Sequence, residues 1–184
     1  MSIVTVTERL VLREFSPDEA EAMFSLNADP EVVRYTGDRP FHDLDEARQL
    51  LATYSSYRER GYGRWSVYVA STNEYIGFCG LAYRAETDEV DLGFRLYRAQ
   101  WGRGYATEAG RAALEIGFHR YDLDRIVGRA MRENVASHRT LKRLGMRWVS
   151  AFERDGYTWD QYEITASEIE ASPSMARGPE DESL

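Results

Sequence analysis

The sequence predicts an α/β (α+β) fold in which strands and helices alternate around one sheet, and three observations carry that expectation. Val90, Leu92, Phe94 and Leu96 alternate with Asp91, Gly93 and Arg95, the period-2 pattern of a half-buried strand. That run leads through a two-glycine loop, Trp101-Gly102-Arg103-Gly104, into Ala109, Ala112, Ala113, Ile116 and Gly117, spaced as the apolar stripe of an amphipathic helix. A chain of 184 residues, 43% of them hydrophobic, is the right size for one domain with its own core.

Leu10 and Leu12 with their neighbours read as the first strand. Ser16-Pro17-Asp18-Glu19 is a capping box with proline in the first helical position, and its helix is expected to reach about Leu26. Asp29-Pro30 repeats the start signal for a short turn through Val32 and Val33, and Asp43 with Glu46 caps a longer helix running toward Arg60. Trp65 to Ala70, Tyr75 to Tyr83 and Glu89 to Leu96 follow as three consecutive strands joined by Thr72-Asn73-Glu74 and Ala85-Glu86-Thr87-Asp88 turns. After the glycine loop and its helix, Ile126 to Met131 is a strand and Val135 to Leu144 a helix stopped by Gly145. Trp148 to Phe152 and Tyr157 to Ile164 form a hairpin across Asp155-Gly156. Residues 1–170 are therefore expected as one domain. Residues 171–184, rich in Ser, Pro and acid, cannot bury enough apolar surface to order themselves and are expected to be disordered.

Composition narrows the function. Met1 to Thr7 hold neither a basic region nor an apolar core of a secretion signal, and no run approaches the ~18 apolar residues of a membrane span. Cys79 is the single cysteine, so an intramolecular disulfide is impossible and a cytoplasmic location is the default. A net charge of −8 disfavours a nucleic-acid surface and favours a cationic acceptor over an anionic one. His42, His119 and His138 lack close ligand spacing, so no metal site is expected.

A glycine loop opening a helix brings backbone N–H groups and the positive end of the helix dipole to one place, which binds phosphate oxygens without a lysine. A nucleotide P-loop needs Gly-Lys-Ser/Thr, whereas Gly104 is followed by Tyr105 and Ala106. A dinucleotide fingerprint needs a third glycine or alanine where Thr107 stands and an acid closing the next strand, which here ends in Arg132. A nicotinamide oxidoreductase is disfavoured on both counts, and coenzyme A is the leading pyrophosphate ligand.

At these residues the chain resembles the GNAT superfamily of N-acetyltransferases, whose acetyl-CoA loop has the form Arg/Gln-x-x-Gly-x-Gly/Ala. Gly104 and Ala106 fit it, and Trp101 replaces the usual first residue. Trp-Gly-x-Gly-Tyr-Ala-Thr-Glu-Ala is similar to the branch of ribosomal-protein N-terminal (alanine/serine) acetyltransferases. So are Thr7-Glu8-Arg9-Leu10-Val11-Leu12-Arg13, Asp91-Leu92-Gly93-Phe94, and Asn134-Val135-Ala136-Ser137 followed by Leu144-Gly145-Met146. The resemblance spans about Thr7 to Glu168. It implies a mixed, mostly antiparallel sheet with a splayed strand pair and flanking helices. It also implies acetyl-CoA as cosubstrate, an amine acceptor (a protein N-terminus or a small molecule), and a monomer or homodimer.

Acetyl transfer to nitrogen sets chemical demands. An alkyl amine of pKa about 10.4 is neutral in only about one molecule per thousand at pH 7, so a proton must leave. The thioester oxygen needs an N–H donor, and the thiolate a weaker one. Carried over by motif, Phe94, Arg95 and Leu96 lie along the pantetheine on a strand that opens at a bulge. Arg103, Gly104, Tyr105, Ala106 and Thr107 offer backbone N–H groups to the pyrophosphate, with Arg98 and Arg103 as side-chain partners or plain surface arginines. Gly93 marks a bulge or close backbone approach, or is an ordinary strand glycine. Asn134 pairs with a pantetheine amide, caps the following helix, or does both, and Ser137 lies near the sulfur. Asp91 is the candidate general base and Glu89 the reserve; alternatively both form an exposed strand face or a salt bridge to Arg95. The acceptor pocket is expected from Val33 to Asp38 and the hairpin around Arg154 to Tyr157, with Tyr35 and Tyr157 flanking an amine and Asp38 as its charge partner.

Other residues read as structural. Cys79 is a buried small hydrophobe, and Trp65, Trp148 and Trp159 are packing. A competing class is a catalytically silent acyl-CoA-binding module or sensor, which needs the same cradle but neither base nor Ser137.

Overall fold

A computed structural model of the protein describes residues 2–170. In chain order the strands are β1 (Ile3–Val6), β2 (Leu10–Arg13), β3 (Arg64–Val69), β4 (Tyr75–Arg84), β5 (Glu89–Leu96), β6 (Arg125–Met131), β7 (Arg147–Arg154) and β8 (Tyr157–Thr165). The helices are α1 (Ala20–Ala28), α2 (Pro30–Val33), α3 (Leu44–Thr53), α4 (Ser56–Arg60), α5 (Tyr105–Arg120), α6 (Val135–Arg143) and α7 (Ala166–Glu170). The strands form one sheet in the order β1-β2-β3-β4-β5-β6-β8-β7, mixed and mostly antiparallel as expected. Residues 171–184, expected to be disordered, lie outside the described residues.

The β5–β6 pair is parallel, and its crossover is the glycine loop plus α5. It is also short. Asp91 faces Val127 and Leu92 faces Gly128, after which the two strands part. Gly93 to Leu96 thus keep β4 as a partner while their other edge is open. The expected bulge is absent: β4 and β5 stay in unbroken register from Gly77↔Leu96 to Arg84↔Glu89, so the splay comes from the departure of β6.

Two apolar clusters hold the layers. On one face Ala109, Ala113 and Leu114 of α5 pack with Trp65, Ile76, Leu81 and Ile126, all essentially inaccessible. On the other, Ala20 and Met23 of α1 meet Ala47 and Leu51 of α3. The alanines of α5 let that helix lie close to the sheet, and Gly117 is equally constrained, since a Cβ there would stand 2.7 Å from Ile126 Cδ1.

Two expectations are corrected. The helix capped by Asp43 stops at Thr53, because Tyr54 turns extended and α4 starts separately at Ser56. The break lets the Tyr54 hydroxyl accept from the Arg64 N–H at 2.5 Å and the Tyr57 hydroxyl accept from the Phe15 N–H at 3.1 Å, tying the segment to the sheet. The residues before Leu10 also contribute a strand. β1 buries no side chain fully, so it lacks the alternation by which a strand is read.

Candidate active site

The loop after β5 is shaped for an anion. Gly102 and Gly104 have φ of +73° and +83°, a left-handed conformation that residues with a Cβ adopt at a cost. A Cβ at Gly102 would meet nothing within 4 Å and one at Gly104 would meet only Arg9 Nη2 at 3.3 Å, so the face over the loop is open. Gly104 is the N-cap of α5, and the first backbone bond of that helix is Glu108 N–H to Gly104 C=O at 3.0 Å. The N–H groups of Tyr105, Ala106 and Thr107 precede it and have no acceptor within the helix.

The first sequence motif braces this loop. Thr7 Oγ1 donates to Glu108 Oε1 at 2.6 Å, and the Arg9 backbone N–H reaches the same oxygen at 2.8 Å. Arg9 Nε donates to Glu108 Oε2 at 2.6 Å and its Nη1 to the Arg103 carbonyl at 3.0 Å, while the guanidinium lies 4.8 Å over the Tyr105 ring. Burial pushes the Glu108 carboxyl up, but the hydrogen bonds from Thr7 and Arg9 outweigh it and hold the group below its usual range. Two motifs about a hundred residues apart are therefore one structural unit.

Two cavities meet at the splay. A cleft of about 560 Å³ runs between the start of α5, the open edge of β5 and α6. A broader groove of about 1430 Å³ lies on the opposite side, under α1 and α3. Tyr35, Thr36, Phe94, Arg95, Asn134 and Ser137 line both. Of the residues expected around the coenzyme, Phe94, Arg95, Leu96, Gly104, Tyr105, Ala106, Thr107, Asn134 and Ser137 line the cleft. Arg98 and Arg103 do not: Arg98 sits in the 3-10 turn Arg98–Gln100, and Arg103 turns back to donate to Gln100 Oε1 at 2.6 Å. Arg139 and Arg143 on α6, both exposed, do line the cleft, and sequence reasoning did not single them out. Their i, i+4 spacing downstream of Asn134 and Ser137 was the available signal. Asn134 does cap α6, its Oδ1 accepting from the Ser137 N–H at 3.1 Å, which leaves its amide nitrogen free of that task.

Asp91, which lines the groove, and Glu89, which does not, are both engaged in ion pairs. Asp91 Oδ2 accepts from Arg64 Nη2 at 2.6 Å and from Arg84 Nη2 at 3.0 Å. Glu89 accepts from Arg125 at 3.0 Å, from Arg129, and from Gln161 Nε2 at 3.2 Å. Asp91 and Glu89, the candidate general base and its reserve, thus each stand in ion pairs with two arginines, of which Arg84 and Arg125 are the more exposed. The salt-bridge alternative holds with different partners, since Arg95 instead binds Asp38 Oδ2 at 2.6 Å and Asn27 Oδ1. Asp38, expected to face the acceptor amine, lines the groove and pairs there with Arg95. The close approach at Gly93 comes from a side chain: a Cβ there would lie 2.5 Å from Arg64 Nη2.

Tyr35 lines the groove, whereas Tyr157 is 52% exposed on the hairpin and lies outside the lining; Phe152 and Trp159 line it instead. Trp159, read as packing, is thus a groove residue, and Trp148 is 55% exposed with its Nε1 donating to Asp160 Oδ1 at 3.1 Å. Trp65 is buried as expected. Cys79 is buried too, and burial pushes its thiol up to about 12, which suits a core residue. No helix among the described residues is long and apolar enough to cross a membrane.

Residues 9–147 match a family model described as an acetyltransferase (GNAT) domain. The uncharacterized N-acetyltransferase p20 of Bacillus licheniformis is 32% identical over 156 residues, 84% of each chain. Among solved structures, an acetyltransferase from Agrobacterium tumefaciens superposes with a TM-score of 0.76 at 28% identity, covering 89% of this chain and 95% of that one. The ribosomal L7/L12 α-N-protein acetyltransferase RimL, solved in complex with coenzyme A, shares the fold with a TM-score of 0.77 at 19% identity, covering 89% and 98%.

Proposed function

The chain belongs to the GNAT acetyltransferase family, and from that premise we propose that it transfers the acetyl group of acetyl-CoA to a primary amine by direct attack in a ternary complex. The acceptor is a protein N-terminus or a small molecule, the working unit is the single domain of residues 1–170, and the reaction runs in the cytoplasm. The observation that carries this is the meeting of two cavities at one gap in the sheet, with Phe94, Asn134 and Ser137 on the wall between them. One cavity suits a long phosphorylated thioester and the other delivers an acceptor to its acyl end.

In this account the N–H groups of Tyr105 to Thr107 take the diphosphate, with Arg139 and Arg143 adding charge at the cleft wall. The open edge of Phe94 to Leu96 pairs with pantetheine amides, as an added strand would, and the amide nitrogen of Asn134 faces the same arm. A neutral amine adds to the thioester carbon while a backbone N–H of the splayed strand receives the developing oxyanion. The C–S bond then breaks, Ser137 donates a hydrogen bond to the thiolate, and the new N–C bond remains. With Asp91 and Glu89 held in ion pairs, water accepts the proton of the amine.

Calorimetric titration with acetyl-CoA tests the cradle. Gly104→Glu adds a side chain and a negative charge at the anion site and should abolish the binding heat; unchanged heat overturns the assignment. Acetyl-CoA binding without amine-dependent thiol release would return the chain to the binding-module reading.

A further inference from the structure

Resting on the acetyltransferase reading, we infer that the acceptor carries a carboxylate besides its amine, and that Arg84, backed by Arg64, receives it. A net charge of −8 favours a cationic acceptor, but the groove is arranged otherwise. Arg64 and Arg84 share one oxygen of one carboxylate, so the trio they form with Asp91 keeps a net positive charge. Arg64 is enclosed, with Nη1 donating to the Gly80 and Asp91 carbonyls and Nη2 to the Asp91 side chain. Arg84 is 49% exposed and spends only Nη2 on Asp91, which leaves Nε and Nη1 without a partner among the described residues. A planar guanidinium presenting unused donors to a groove matches a carboxylate.

The acids of the groove do not offset this. Asp38 is bound by Arg95, Glu46 by Arg39 and Asp155 by Arg154; Glu86, which also lines the groove, lies in the β4–β5 turn at the opposite end of β5 from Phe94. A polyamine would find no unpaired carboxylate beside the gap. The placement also suits one acceptor molecule. The Arg64 guanidinium lies over Gly93, next to Phe94 where the cavities join, and Asp91 is three residues from Phe94, about 10 Å along the strand. A carboxylate at Arg84, whose backbone pairs with Glu89 at the far end of the strand, therefore sits at least roughly 10 Å from the reacting nitrogen. A long ω-amino acid and a peptide N-terminus with an acidic residue among its first few positions both span that distance.

Matched acceptors test the inference: 8-aminooctanoate against its amide, a C-terminally amidated Ser-Ala-Glu peptide against Ser-Ala-Gln, and spermidine, each assayed for thiol release with the full chain and acetyl-CoA. At least one acid is expected to exceed its amide by about tenfold in kcat/KM, the weight of one charge-assisted hydrogen bond. Arg84→Ala should bring that ratio near one, and Arg84→Lys should keep part of it. The amino-acid and peptide arms separate the two sources of the carboxylate. Equal rates for every acid and its amide, a preference for spermidine, or a ratio unmoved by Arg84→Ala would overturn the inference while leaving the acetyltransferase reading standing. No thiol release with any acceptor would remove both.

Discussion

Truncating Arg9 to alanine separates the brace from the cofactor loop without touching the cleft. Arg9 is not among the cleft-lining residues, yet it holds Glu108, the Arg103 carbonyl and the Tyr105 ring. Its side chain is 44% exposed, so solvent screening limits the Glu108 pair to about 0.5–1 kcal/mol. The bond to the Arg103 carbonyl adds about 1 kcal/mol, and the cation over Tyr105 about 0.5 kcal/mol. Together about 2 kcal/mol of loop ordering is lost, which bound acetyl-CoA must then supply, a weakening of up to about 30-fold. Coupling among three contacts made by one side chain lowers this, and a 5- to 30-fold rise in Kd by calorimetry is expected. Combining Arg9→Ala with Glu108→Gln should cost much less than the sum of the two. An affinity within twofold of the parent for Arg9→Ala would refute the claim that the first motif shapes the loop.

Three further outcomes follow from the same geometry. Ser137→Ala should lower kcat by about tenfold through loss of the hydrogen bond to the leaving thiolate, while calorimetric affinity for acetyl-CoA stays nearly constant. If water takes the proton, log kcat/KM with an alkyl amine acceptor should climb with unit slope up to the acceptor pKa near 10.4; a plateau below about pH 7 would reveal an enzymic base. Glu108, held below its usual range in the fold, contributes stability that is present above its unfolded value of 4.5 and lost as pH falls through the lower folded value. Urea titrations across that acid range should show a decline in the parent that is shallower in Glu108→Gln.

Legibility in the sequence followed the range of the interaction. A strand with one buried face, such as Leu10 to Arg13, announces itself by alternation; Glu89 to Leu96 alternates in residue type, although Asp91 and Leu92 are both buried; and the αL glycines at 102 and 104 mark the loop because the backbone needs them locally. The break at Tyr54 is silent, since it is caused by hydroxyl bonds to Phe15 and Arg64 on other elements. The same limit governs the site. Asp91 sits where motif comparison places a base, yet its partner Arg64 is 27 residues upstream and reaches it across β4, which sequence spacing does not disclose. Arg139 and Arg143 were hidden for the opposite reason: on an exposed helix their charges look like ordinary solvation until α6 is seen to wall the cleft. The pairing of Thr7 and Arg9 with Glu108 shows that motifs far apart in the chain can serve one local geometry.

The most direct test of the central claim is a crystal structure grown with coenzyme A. The diphosphate should lie on the Tyr105, Ala106 and Thr107 N–H groups at about 2.8–3.1 Å, with the thiol in the gap between Phe94 and Ser137. A diphosphate lodged elsewhere, or a cleft filled by side chains while the coenzyme binds another face, would contradict it.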